Sequence, residues 1–250
     1  MAFAVKSKNF RRTTPRRLTP ARWVYPQKRG LNVLTLANLA GWYDVSQAAG
    51  VTTGTGGISS LNDLSGNGRH LTQATSTKRP ALTTAGQNGL NVATFDGVDD
   101  FMSATWVKSV PFSVFAALKV RANSAGSSVI IGFDSWAGFG NYLYISAGLR
   151  TFTRFWNNPS LLGDIDLSDG MFAQISMVEN LANSVLGKNG TEITGSLGNV
   201  GTSVICIGDA SDESSVNSAV TVGEVILIAA AASATVREQI KNYLCGKWGI

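Results

Sequence analysis

Between residues 112 and 228 the sequence repeats one pattern: runs of four to nine residues rich in Val, Ile, Phe or Tyr, cut apart by Gly, Asn, Asp or Ser. These runs are 112–120 (FSVFAALKV), 129–133, 142–146, 150–155, 171–178, 184–187, 204–207 and 220–228. They are too short for helices and have the length and composition of strands. So many short strands joined by turns leave few solutions other than an antiparallel sandwich. The 27 glycines and only 15% charged residues of the 250-residue chain agree with a turn-rich all-β protein.

The segment before this series follows the same rule. An apolar stretch, 31–42, leads into Asp44, and a Gly/Thr-rich loop comes next. Residues 61–68 (LNDLSGNG) pack turn formers densely. Residues 91–95 read as a strand, with Asp96-Gly97 turning the chain ahead of Asp99 and Asp100. One helix is expected, near the C-terminus: Ser233 is the N-cap, Val236, Ile240, Tyr243 and Leu244 form the apolar stripe, and Gly246 is placed to end it. Cys206 and Cys245 fit neither a disulfide framework nor a zinc motif and are expected to be buried thiols.

The first thirty residues differ from the rest. They hold nine Lys or Arg and no acidic residue, whereas the other 220 residues hold 12 Lys and Arg against 16 Asp and Glu. The net charge of +5 is therefore that of a cationic arm on a mildly acidic body. Pro15, Pro20 and Pro26 favour an extended path. No apolar region follows the basic residues as in a secretory signal, and no run reaches the ~18 apolar residues of a membrane span. The chain divides on this reading into an arm, 1–30, and a domain, 31–250.

Three segments of the domain resemble the laminin-G-like, concanavalin A-like jelly-roll modules of bacteriophage virion structural proteins. Residues 61–73 (LNDLSGNGRHLTQ) are similar to the family's W-x-D-x-S-G-N-G-x-H-A-x-Q turn, and residues 92–102 (VATFDGVDDFM) to its V-x-F-D-G-V-D-D-Y-L. Gly223-Glu224-Val225, Arg237 and residues 243–250 (YLCGKWGI) look like its closing segment. The resemblance implies an all-β, antiparallel jelly-roll sandwich with a short C-terminal helix, and leaves the extended N-terminal arm outside the family pattern. No second domain is expected after the closing segment.

The function expected from this combination is that of a virion component, a decoration or fibre-like protein located on the particle. Phe10, Arg11, Arg12, Arg16, Arg17, Arg22, Trp23, Tyr25, Lys28 and Arg29 would dock on capsid or tail proteins, since guanidinium forks suit surface carboxylates and the aromatic side chains gain from burial. Nucleic acid is the lesser expectation, because the body has no second basic surface. The alternative is a host-recognition lectin binding cell-surface glycan. Trp136 and Trp156 would supply aromatic faces and Asn157 and Asn158 oriented hydrogen bonds. A homo-oligomer is a further expectation that the resemblance allows.

Catalysis is not expected: no E-x-D-x-E strand pattern places paired carboxylates in one cleft, and His70, the single histidine, falls inside a turn motif. No cofactor is expected. The metal that loop carboxylates would suit is Ca²⁺, with Asp164, Asp166 and Asp169 as its ligands, or Asp209, Asp212 and Glu213. Asp96, Asp99 and Asp100 read as turn formers, and Trp42, Trp106 and Trp248 as core or closing residues.

Overall fold

In the computed structural model the chain divides into two units, residues 1–30 and 31–250. The structure describes residues 30–121, 128–133, 140–145, 151–156, 165–167, 170–197, 201–210 and 216–250. Of 140–142, 144–145 and 151–156 it describes the backbone alone.

The described strands form two antiparallel sheets. The first contains β1 (Leu39–Asp44), β5 (Ala81–Gln87), β6 (Leu90–Thr94), β8 (Phe112–Val120), β13 (Ala173–Glu179), β14 (Ser184–Lys188), β15 (Thr191–Gly195) and β17 (Val220–Ile228). Its order is β15-β14-β13-β8-β17-β6-β5, with β1 also on β17. The second contains β2 (Val51–Gly54), β3 (Gly57–Leu61), β4 (Leu71–Thr72), β7 (Met102–Lys108), β9 (Ser128–Gly132), β10 (Gly140–Ile145), β11 (Thr151–Trp156), β12 (Ile165–Asp166) and β16 (Thr202–Ile207). Its order is β12-β11-β10-β9-β16-β7-β4-β3-β2. The sandwich and its C-terminal helix agree with the expected fold class.

Strand β8 shows how the layers are held. Phe112, Val114, Ala116, Leu118 and Val120 point between the sheets, where they meet Met102, Trp106, Ile205 and Ile207. The alternate residues Phe115 and Ala117 enter a second core on the other face of the same sheet. That core is completed by Ile240, Leu244 and Trp248 of α1 (Ala234–Trp248). A period-two strand that is apolar on both faces is thus buried on both, by a sheet on one side and a helix on the other.

Strand β17 needs an interruption to serve both cores. Val220, Val222, Val225 and Leu227 all face the inter-sheet core, which strict alternation forbids. A register shift between Val222 and Glu224 supplies the extra residue, Gly223. Beyond it, the strand's outer face carries Glu224, Ile226 and Ile228 toward α1. Gly223 also gives the indole of Trp248 its space, for a Cβ there would lie 2.7 Å from three ring carbons.

Ser233 caps α1 by accepting the Val236 N–H, as expected. The helix does not end at Gly246. It runs two residues further, to Trp248, and Gly249, at φ 69°, takes the left-handed cap. The reason is the apolar stripe: Ile240, Leu244 and Trp248 repeat at four-residue spacing, so stopping at Gly246 would leave the largest of them outside. Neither Cys206 nor Cys245 is in a disulfide; Cys206 is buried as expected, whereas Cys245, on the helix, is only half-buried. No helix among the described residues is long and apolar enough to cross a membrane.

Candidate functional site

The first family-like segment is a fastener for β1. Strand β1 pairs with β17 along one edge, and the loop 62–70 satisfies groups along the other. Asp63 Oδ1 accepts the N–H groups of Trp42 (3.0 Å) and Ser65 (2.9 Å), and Oδ2 accepts that of Arg69 (3.0 Å). The Asn67 amide donates to the carbonyls of Leu39 and Ala40, and the Arg69 guanidinium to Ala40 (2.6 Å). The buried Tyr43 hydroxyl donates to the Arg69 carbonyl at 2.6 Å; burial, with the nearby Asp63 charge, raises its pKa. His70 Nδ1 accepts the Asp63 N–H at 3.0 Å. The histidine is thus a member of the turn, and the loop covers an otherwise open sheet edge.

The closing segment builds an ionic cluster whose carboxylates are buried and whose cation is partly exposed. Glu224 is fully buried. Its Oε1 accepts from Trp42 Nε1 (2.6 Å) and the Tyr243 hydroxyl (2.9 Å), and its Oε2 from Lys247 Nζ (2.7 Å) and Trp248 Nε1 (3.1 Å). Lys247 also reaches Asp44 Oδ2 at 2.5 Å. Burial and the Asp44 charge raise the pKa of Glu224, with Lys247 opposing them. Burial beside Glu224 likewise raises the pKa of the Tyr243 phenol. Both Glu224 oxygens thus accept two bonds each, and Asp44 Oδ2 accepts from Gln47 as well as Lys247. The cluster joins β1, β17 and α1, so Trp42 and Trp248 are closing residues and Trp106 a core residue, as expected.

In the second segment Asp96 Oδ1 accepts the N–H of Val98 (2.7 Å), and Asp100 Oδ2 that of Asp96 (2.9 Å). These are turn bonds, again as expected. Burial, reinforced by the Asp96 and Asp99 charges, pushes Asp100 up to about 6. Asp96, Asp99 and Asp100 are also the one group of three acidic, His or Cys ligands close enough for a metal among the described residues.

A fourth polar site has no counterpart in the motifs. Between the first two turns of α1 and the outer face of β13 and β15 lies a cleft of ≈ 280 Å³. Gln174 and Ser176 on β13, Glu192 on β15, and Arg237, Glu238 and Lys241 on α1 line it. Arg237 holds Glu192 through two bonds, Nε–Oε1 (2.7 Å) and Nη2–Oε2 (2.8 Å). Lys241 holds Glu238 at 2.7 Å, and with Asn242 it lowers the pKa of that carboxyl. The floor is different. Gln174 is 1% exposed, and its side-chain Nε2 has no hydrogen-bond partner.

Most residues singled out from the sequence fall elsewhere. The arm residues Phe10 to Arg29, together with Trp136, Asn157, Asn158, Asp164, Asp169, Asp212 and Glu213, lie outside the described residues. Trp156 ends β11 by its backbone. Asp166 is exposed on β12, and Asp209 is buried. The cleft was not foreseen, because its residues come from three distant segments. The available signals were Arg237, Glu238 and Lys241 at adjacent and four-residue spacing on one helix, and Asn189-Gly190 as a hairpin turn beside Glu192.

No family model matches the sequence, and no curated protein matches it by sequence. Solved structures share the fold. Trypanosoma rangeli sialidase in complex with sialic acid is 15% identical, with a TM-score of 0.58 over 86% of this chain and 34% of that one. The binding domain of Paraclostridial Mosquitocidal Protein 1 is 15% identical, with a TM-score of 0.59 over 82% of this chain and 52% of that one. A GH54 α-L-arabinofuranosidase soaked with a cyclic sulfate inhibitor is 16% identical, with a TM-score of 0.58 over 76% and 51%. The chain thus spans about a third of the sialidase and about half of the other two. At these identities the likeness is one of fold, a sandwich consistent with the concanavalin A-like jelly roll.

The expectation that the chain has no catalytic activity is corrected by these neighbours, which include two kinds of glycosidase. The missing E-x-D-x-E pattern excludes one way of pairing carboxylates along a strand. It has no bearing on catalytic groups that loops bring together from distant parts of a sandwich.

Proposed function

We propose that residues 31–250 are a glycan-recognition module and that residues 1–30 attach it to capsid or tail proteins of a virion. The observation that carries the first part is the architecture. It is shared with a sialidase solved with sialic acid, with an arabinofuranosidase solved with an inhibitor, and with a domain described as a binding domain. The attachment part is supported by the nine cations of the acid-free arm set beside an acidic body. Docking would offset an ordering cost of about 1–2 kcal/mol per residue by guanidinium–carboxylate forks and aromatic burial.

The two parts are tested separately on the full chain. A glycan array should show saturable binding to a restricted set of sugars, weakened at least tenfold by Trp156→Ala. Uniformly negative arrays overturn the recognition part. Replacing Arg11, Arg12, Arg16 and Arg17 together by Ala should abolish incorporation into particles, and normal incorporation overturns the attachment part.

A further inference from the structure

We propose that the cleft beneath α1 binds one uncharged, polyhydroxylated ring, a single saccharide residue, with Gln174 as the buried donor on its floor. The site is on the helix-covered face and does not depend on Trp136, Trp156 or their neighbours.

Size gives the first argument. At ≈ 280 Å³ the cleft falls just below the ~300–1,000 Å³ usual for drug-sized ligands, which suits one ring rather than an extended chain. The backbone keeps this space open at two places. A Cβ on Gly187 would lie 2.4 Å from Ser176 Oγ, and one on Gly190 2.8 Å from Lys241 Cδ. Gly190 also has φ 89°, in the Asn189-Gly190 turn that bonds back to the Gln174 backbone.

The charges select the ligand class. The cleft holds two cations and two carboxylates, each already paired with an opposite charge. An anion would have to displace Glu192 or Glu238, and a cation Arg237 or Lys241. A hydroxyl group is both donor and acceptor. It can give its proton to a carboxylate and accept from Lys241 or Arg237, leaving both ion pairs intact. Gln174 then decides the floor. A buried amide N–H without a partner costs about 1–3 kcal/mol, and a sugar oxygen would satisfy it. Ala234 and the aliphatic stems of Arg237 and Lys241 provide the apolar surface for a C–H face.

The test uses the full chain and millimolar methyl pyranosides of glucose, galactose, mannose and N-acetylglucosamine, observed by saturation-transfer NMR. At least one should bind and shift the Gln174 side-chain amide resonance. Gln174→Leu should weaken that binding at least tenfold without lowering thermal stability, because no protein hydrogen bond is lost. Lys241→Met should also weaken it, and Trp156→Ala should leave it unchanged. Binding of no pyranoside overturns the proposal. Binding that survives Gln174→Leu but is lost in Trp156→Ala also overturns it, and supports the aromatic loop site instead.

Discussion

Two ionic clusters lie under the same helix, one near each end, and they differ in what they leave over. Near the C-terminal end, Lys247 is held between Asp44 and Glu224, and both Glu224 oxygens are fully engaged. Near the N-terminal end, Arg237 pairs with Glu192 across an open cleft and Lys241 with Glu238 along the helix, and a buried amide beneath them keeps a free donor. Similar side chains therefore do opposite things. Where indoles and a phenol fill every remaining position, the charges act as a clasp. Where two glycines and a serine leave space, the charges become the wall of a site.

The largest effect should come from breaking the clasp. Lys247→Met leaves two buried carboxylates without their cation and should cost about 3–5 kcal/mol in urea unfolding at pH 7. Without the cation that opposes burial, the folded-state pKa of Glu224 rises further. Groups whose folded pKa lies above the unfolded value oppose folding when ionised, so the variant should recover stability as the pH falls toward the ordinary carboxylate range. A loss that is the same at pH 7 and pH 5 would show the clasp to be unimportant electrostatically. Trp248→Ala, which empties a fully buried position beneath the same clasp, should cost about 3–5 kcal/mol by calorimetry.

Gly223→Ala should be milder, about 1–3 kcal/mol, as the indole of Trp248 is pushed off its seat. The denaturation midpoint reads the loss. At the other end, Arg237→Ala removes a pair whose members keep 16% and 27% of their side-chain surface in contact with water. The expected loss is about 1 kcal/mol or less, with little dependence on pH. Gln174→Leu should have the smallest effect, neutral or slightly stabilising. If Arg237→Ala proved as costly as Lys247→Met, the distinction between clasp and cleft would fail.

How much of this was legible follows from how local each feature is. Strands 112–120 and 220–228 were read with the bounds the structure has, because Val, Ile and Phe at strand spacing are a local signal. The weakly apolar β5 and β15, whose residues are largely exposed, were not. The end of α1 was misplaced because Gly246 resembles a stop, and only the core beneath Trp248 shows why the helix continues. The turn at Asp63 was recognisable, but its role in covering the edge of β1 was not, since its partners are over twenty residues away.

By itself the sequence determined an all-β sandwich, its turns, its helix start and the charge separation between arm and body. These depend on periodicity, turn chemistry and composition, which act over a few residues or over the whole chain. Tertiary structure alone decided which carboxylates share a cation, where the β17 register shifts to admit an indole, and where a polar cleft remains open. Each of those requires segments 23 to 203 residues apart to meet, and no local pattern encodes the shape they leave between them.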